Sequence, residues 1–210
     1  MEAAVKRKRT RIQKEKRETI LEAALEVFST HGFRGSTIDQ IAEAAGMSKP
    51  NLLYYFRGKE EIHETLIARL LETWLAPLKE LRADGDPLTE IRSYIRRKLE
   101  MARDYPRESR LFANEILQGA PRIMPLLEVD LKNLVDEKAE IIEGWMRAGR
   151  IACADPWHLI FSIWATTQHY ADFDAQVRAV LGPERGGEGR FEDAGRFLEQ
   201  LYIGGLRPKG

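Results

Sequence analysis

Cysteine is almost missing from this chain of 210 residues: Cys153 stands alone. One thiol excludes an intrachain disulfide and fits a reducing compartment, so the cytoplasm is the expected location. No apolar run approaches the roughly 20 residues of a bilayer-spanning helix. The opening stretch MEAAVKRKRT also lacks the apolar centre of a signal peptide, so no membrane partner is expected. Catalytic patterns are missing as well. The four histidines, His31, His63, His158 and His169, show no metal-ligand spacing, and one cysteine cannot build a zinc ribbon. There is no Gly-x-Ser-x-Gly elbow. The stretch GPERGGEGR at 182–190 lacks the Gly-Lys-Ser/Thr of a phosphate loop and follows a helical pattern, not a strand. No enzyme, no metal and no cofactor are therefore expected.

Alternating, strand-like runs are absent too, and what remains is helical. Apolar residues recur at steps of three and four, as in Ile20, Ala23, Ala24, Val27 and Phe28, or Leu66, Leu70 and Trp74. Glycine and proline punctuate the pattern into about nine helices, predicting an all-α fold. Charge is balanced overall but not along the chain. Residues 1–60 carry 12 Lys and Arg against 8 Asp and Glu, while the remainder carries 21 against 25. Eight of the basic side chains (Lys6, Arg7, Lys8, Arg9, Arg11, Lys14, Lys16, Arg17) fall within the first 20 residues. A basic end on an acidic chain points to a polyanion bound at that end, or to a solvated tail.

The stretch STIDQIAEAAGMSKPNLLYYF, residues 36–56, weighs toward the polyanion. Thr37 and Gln40 have the spacing of a capping box, Gly46 supplies a sharp turn, and Ser48 precedes a second helix with Pro50 in its first turn. Two short helices about a glycine turn form a helix-turn-helix, although a hairpin in a bundle core would share the pattern. In the DNA-binding geometry the second helix enters the major groove by its N-terminal residues. Lys49, Pro50 and Asn51 are then placed at base edges. Thr37, Ser48, Tyr54, Tyr55 and Lys59 are placed at the phosphate backbone, the tyrosines burying their rings and aiming their hydroxyls outward. Leu52, Leu53 and Phe56 are expected to pack against the first helix.

These same residues carry a resemblance. The run ILEAALEVFSTHGFRGSTIDQIAEAAGMSKPNLLYYFRGKEEI resembles the DNA-binding domain of the tetracycline-repressor (TetR) family in Ala24, Phe28, Gly32-Phe33, Ser36-Thr37, Ile41-Ala42, Gly46, Ser48 and the Tyr-Tyr-Phe ending. Leu53 stands where many members have tyrosine, so no phosphate-binding role is carried onto it. The resemblance implies a homodimer with a reading head in residues 1–60, an effector-binding and dimerising domain in 61–210, and a double-stranded DNA operator as partner. Further on, WLAPLKE, RDYPRESRLF, LVDEKAEIIEGW and IWATTQHYADF resemble a pyrimidine-utilisation regulator of that family, which implies uracil or thymine as effector. A bulkier apolar or cationic drug-like effector is the alternative within the family.

Residues in the second domain give a compatible picture. Phe161, Trp164 and Gln168 fall on one helical stripe, with Asp172 a turn further on. Phe112, Glu115 and Ile116 share another face, and Trp74 projects from the helix that begins near Lys59. Aromatic walls with one or two convergent polar groups suit a small planar molecule, so Trp74, Phe112, Glu115, Phe161, Trp164 and Gln168 are the candidate ligand contacts. Each aromatic taken singly also fits plain core packing. Trp74 lies 15 residues along its helix, about 22 Å from the end facing DNA, so a ligand beside it could tilt the helix as a lever. In the last helix Phe191, Ala194, Leu198, Leu201 and Tyr202 form a stripe, with Gly195 and Gly204 allowing close approach. By resemblance that stripe is assigned to the dimer interface.

Overall fold

A computed structural model describes residues 2–208, with side chains from Arg11 onward. Among these residues there is no strand; apart from one short turn and a π-helical segment, ten helices form. The chain divides into two compact units, one comprising the chain up to Leu71 with Arg110–Ile123, the other Glu72–Ser109 with everything from Met124 on.

The first unit is built on α1 (Glu2–Gly35), α2 (Ile38–Ala44), α3 (Lys49–Tyr55) and the start of α4 (Lys59–Lys79). Ile20, Ala24 and Phe28 repeat every fourth residue along α1 and are wholly buried. Gly32, at φ 67°, breaks the helix with a backbone that other residues resist. The capping box before α2 is present as read: Thr37 accepts from the Gln40 N–H, and the Gln40 side chain returns the bond to Thr37 N–H. After α2 the chain makes a Schellman turn, with Gly46 at φ 63° donating to Glu43 O and Met47 donating to Ala42 O. Leu52 and Phe56, four apart, close the core from α3. The second half of α6 (Pro106–Leu117) adds Leu111 to this unit, and Ile123 follows it.

The second unit is centred on α5 (Pro87–Asp104), which packs on α9 (Pro156–Asp172) and α11 (Arg190–Leu206). Both α5 and α9 begin on an Asp-Pro pair. Asp86 and Asp155 accept the N–H groups of Thr89 and His158 at 2.9 Å, and the following proline needs no acceptor. Ile91, Ile95, Leu99, Ile160, Ile163 and Leu198 fill the core with Ile142 and Trp145 of α8 (Lys132–Arg147). Between α6 and α8 lie the turn α7 (Met124–Leu126) and the π-helical Leu127–Leu131. The helix α10 (Asp174–Arg185) links α9 to α11.

One expectation is corrected here. Three of the five α11 residues assigned to a dimer partner turn inward: Phe191, Ala194 and Leu198 are buried in the chain's own core, and a Cβ at Gly195 would meet Leu99. Leu201, of the same stripe, is exposed as expected, and Phe197 is the other outward apolar residue of α11. A helix amphipathic on two sides cannot have its inner face told from its outer face by periodicity alone.

Candidate nucleic-acid interface and effector site

The Schellman turn sets α3 on the surface by its N-terminus. Ser48, Lys49, Pro50 and Asn51 form an exposed run there, open to solvent. Ser48 occupies the N-cap position, but its hydroxyl makes no capping bond. Pro50, two residues on, has no N–H to offer, so the Asn51 N–H is the remaining capping donor. Lys49 Nζ pairs with Asp39 at 3.0 Å, with both side chains exposed. Such a pair contributes at most about 1 kcal/mol and is readily exchanged for a phosphate or base acceptor.

The tyrosines part company. Tyr54 is 72% exposed, contrary to the expectation of a buried ring, and its partner Tyr55 is half-buried with the two rings edge to face at 5.1 Å. Leu53, also expected inside, is 41% exposed. The cause is helical geometry: Leu52 and Phe56 occupy the inward stripe, and residues 100° and 200° away from it must face outward. Thr37 is exposed beside α2.

Basic side chains in this unit hold the fold as well as facing outward. Arg17, counted with the basic arm, donates to Tyr55 O at 2.6 Å and lies over the Phe56 ring, which fixes the C-terminus of α3. Lys59 donates to Phe33 O at 3.0 Å and Ser36 O at 2.8 Å, and sits over the Phe33 ring. One ammonium hydrogen is then left for another acceptor. The side chains of Lys6, Arg7, Lys8 and Arg9 lie outside the described residues.

A three-way comparison separates these roles. Lys59→Ala is expected to cost roughly 1–3 kcal/mol in urea unfolding because two carbonyls lose a charged donor. It should also weaken binding to every DNA sequence. Tyr54→Phe, removing an exposed hydroxyl, should weaken binding with unchanged stability. Asn51→Ala should blur discrimination between specific and random DNA in competition assays. Equal losses on both DNAs for Asn51→Ala would refute its base-reading role.

Inside the first unit lies a polar cluster that the sequence did not reveal. Glu115, read from sequence as a ligand contact, is buried; it accepts from Arg122 N–H at 3.0 Å and from the Arg122 guanidinium at 2.8 Å. His63 Nε2 is 3.8 Å from the same carboxylate, and the imidazole meets Phe28 and Phe33 edge to face. Burial pushes His63 down to about 4, against the pull of Glu115 and with the help of Arg122 and Lys59. Phe112 stands half-buried on α6 in the same unit.

The other ligand candidates belong to the second unit. Trp164 is half-buried on α9 and donates its indole N–H to the Tyr94 hydroxyl at 2.5 Å. Burial raises the Tyr94 phenol well above its usual range, so this oxygen stays protonated. Phe161 is 46% exposed with its ring 5.6 Å from Trp164, and Gln168 is half-buried one turn beyond. Trp74 is buried with Lys98 Nζ 5.0 Å from its ring. Lys98 was missed in the sequence. The signal was present, because Lys98 sits in the stripe Tyr94, Ile95, Leu99, Ala102, where a lysine has no solvent to reach. A separate cleft of about 440 Å³ runs between α9, α10 and α11, lined by His169, Tyr170, Val177, Val180, Ala194 and Phe197 among others. Among the described residues there is no His, Cys, Asp and Glu cluster fit for a metal and no helix long and apolar enough to cross a membrane.

Two family models match the chain end to end from residue 20 to residue 209. The family described as bacterial regulatory proteins, tetR family, matches residues 20–66. The C-terminal region of YcdC-like proteins matches residues 67–209. The transcriptional regulator RutR of Escherichia coli K12 is 50% identical over 202 residues, covering 96% of this chain and 95% of its own length. Among solved structures, the ketosteroid transcriptional regulator KstR2 of Mycobacterium tuberculosis superposes with a TM-score of 0.71 at 19% identity, covering 92% of this chain and 95% of that one. AibR, solved with isovaleryl coenzyme A and operator DNA, gives 0.69 at 18% identity, covering 89% and 97%. At such identities these two structures speak for the fold alone.

Proposed function

This chain belongs to the TetR family of bacterial regulatory proteins, and from that membership we propose that it holds a DNA operator as a homodimer and releases it on binding uracil or thymine. It is a DNA-binding transcription regulator and not an enzyme. In this proposal residues 1–60 read the operator and residues 61–210 bind the effector and dimerise. Lys49, Pro50 and Asn51 meet base edges, while Thr37, Ser48, Tyr54, Tyr55 and Lys59 position the phosphates. The exposed N-terminus of α3 supports this reading. The exposed apolar residues Phe161, Phe173, Val180, Phe197 and Leu201 of the second unit support an isologous partner.

The observation that carries the effector is the α9 face. Trp164 and Gln168 lie a turn apart within a stretch that resembles a pyrimidine-utilisation regulator, and half-identity with RutR extends over 96% of the chain. A pyrimidinedione presents alternating N–H and C=O groups, which one glutamine amide meets with its own donor and acceptor. Trp164 offers a face for stacking and Trp74 a second wall. Release follows if the effector favours a head spacing that the operator does not; a coupling of about 1–3 kcal/mol gives roughly 5–150-fold. The length of α4 between Lys59 and Trp74 makes it the lever in this scheme.

Calorimetry with uracil, thymine, dihydrouracil and cytosine tests the reading. Uracil and thymine are expected to bind the wild type and to lower operator affinity. Dihydrouracil loses planarity and cytosine reverses part of the donor–acceptor pattern, so both should bind more weakly. Gln168→Leu should abolish the response and leave operator binding intact, since an unmet polar edge is costly in a dry pocket. Operator release by an apolar or cationic drug, with no heat from any pyrimidine, would replace the effector class and leave the regulator.

A further inference from the structure

The inference rests on the reading that the second unit binds a small effector, and it names the groups that choose one. On α5, Tyr94 and Lys98 are four residues apart and share a face. On α9, Trp164, Gln168 and Asp172 follow one another at the same step. The two faces meet at two places. Trp164 bonds to Tyr94, and Asp172 is near enough to Lys98 to favour its charge. Gln168 therefore stands midway along a line of polar groups. Ser109 donates to the Asp172 carboxylate from the start of α6. Trp74 closes the cluster from α4, with its ring under the Lys98 ammonium.

One donor in this cluster is buried without an acceptor, and a buried cation stands next to it. Trp74 Nε1 has no hydrogen-bond partner, and beside its ring, at 5.0 Å, lies the ammonium of Lys98, a residue only 2% exposed. Burial lowers Lys98 to about 7 against the pull of Asp172, so the site holds its proton weakly. Buried polar groups are nearly always bonded, and an unmet indole N–H beside a buried ammonium is kept at a cost to folding. Core packing gives no reason for a lysine there; methionine or leucine would fill the same space more stably.

We propose that Lys98 Nζ and Trp74 Nε1 form a donor pair that recognises adjacent acceptors of a small planar cyclic imide, such as a carbonyl oxygen beside an anionic ring nitrogen. An ammonium and an indole N–H can only donate, so they select acceptors and reject an amino group in the same place. Gln168 meets the amide edge next to it, and Trp164 covers the ring. Specificity then comes from Lys98 and Trp74 as much as from Gln168.

The test uses the full-length protein, calorimetry, and uracil, thymine, cytosine and benzoate as probes. Lys98→Met and Trp74→Phe are each expected to lower uracil and thymine affinity at least tenfold and to narrow the preference for uracil over cytosine. Trp74→Phe keeps the ring and removes only the N–H. Lys98→Met should raise the Tm of the free protein, so lost binding there cannot come from misfolding. A purely structural role would shift Tm without touching the uracil-over-cytosine preference. Uracil binding of wild-type strength in Lys98→Met overturns the donor pair and leaves the pyrimidine reading in place. Benzoate binding that disappears in Lys98→Met, with no uracil binding, sustains the donor pair and removes the pyrimidine reading. Silence from all four probes overturns both.

Discussion

Arg122→Ala is expected to destabilise the protein by roughly 3–5 kcal/mol in urea unfolding, more than any change on the DNA-facing surface. The Glu115 carboxylate is 1% exposed at its side chain and holds the guanidinium at 2.8 Å, while Arg122 itself keeps 19% of its side chain in contact with solvent. Truncation would leave a buried carboxylate with only the Arg122 backbone N–H and a distant imidazole. It would also strip the guanidinium from the Phe33 ring, 3.5 Å below it. The penalty comes from the orphaned charge, not from the worth of the pair. Replacing both partners, as Glu115→Leu with Arg122→Met, should therefore recover most of the loss. A double variant as unstable as the sum of the two single changes would show that the two side chains act independently, and the orphaned-charge account would fail.

That cluster also shows where the sequence stops being readable. Signals confined to a few neighbouring residues came through. Thr37 with Gln40 and the turn at Gly46 each depend on bonds three to five residues long. The all-α fold follows from the same local rules. Side-chain facing was readable only where one stripe dominates, as with Ile20, Ala24 and Phe28. It failed at Leu53 and Tyr54, where apolar and aromatic residues run consecutively and a helix can bury only some of them. The α11 stripe failed for the converse reason, since both of its faces are apolar. Pairings across distance left no local trace: His63 meets Glu115, which lies 52 positions later, and Lys98 meets Trp74 on another helix. In both cases an ionisable residue within an apolar stripe was the available sign, because such a residue must find a partner on some other element.

The His63 member of the cluster should make stability fall in mild acid. Its imidazole sits at about 4 in the folded chain against an ordinary 6.5, chiefly through burial. Below pH 6.5 the unfolded chain takes up a proton that the folded one refuses, so stability is lost as pH falls through the window from 6.5 to 4. Below that window both states carry the proton and the loss stops growing. A difference of this size corresponds to roughly 3 kcal/mol. Other carboxylates titrate near the lower end, so the informative quantity is the difference between wild type and His63→Leu, measured by urea unfolding at steps from pH 7.5 to 4.5. His63→Leu should lose less stability over these steps. Arg122→Ala should move His63 upward, because the nearby guanidinium is one of the charges that oppose its protonation. Part of the Arg122→Ala deficit would then shrink in acid, as a protonated His63 supplies the positive charge that Glu115 has lost. Matching pH profiles for wild type and His63→Leu would mean that His63 is already free to take its proton in the folded chain, and the account of the cluster would fail.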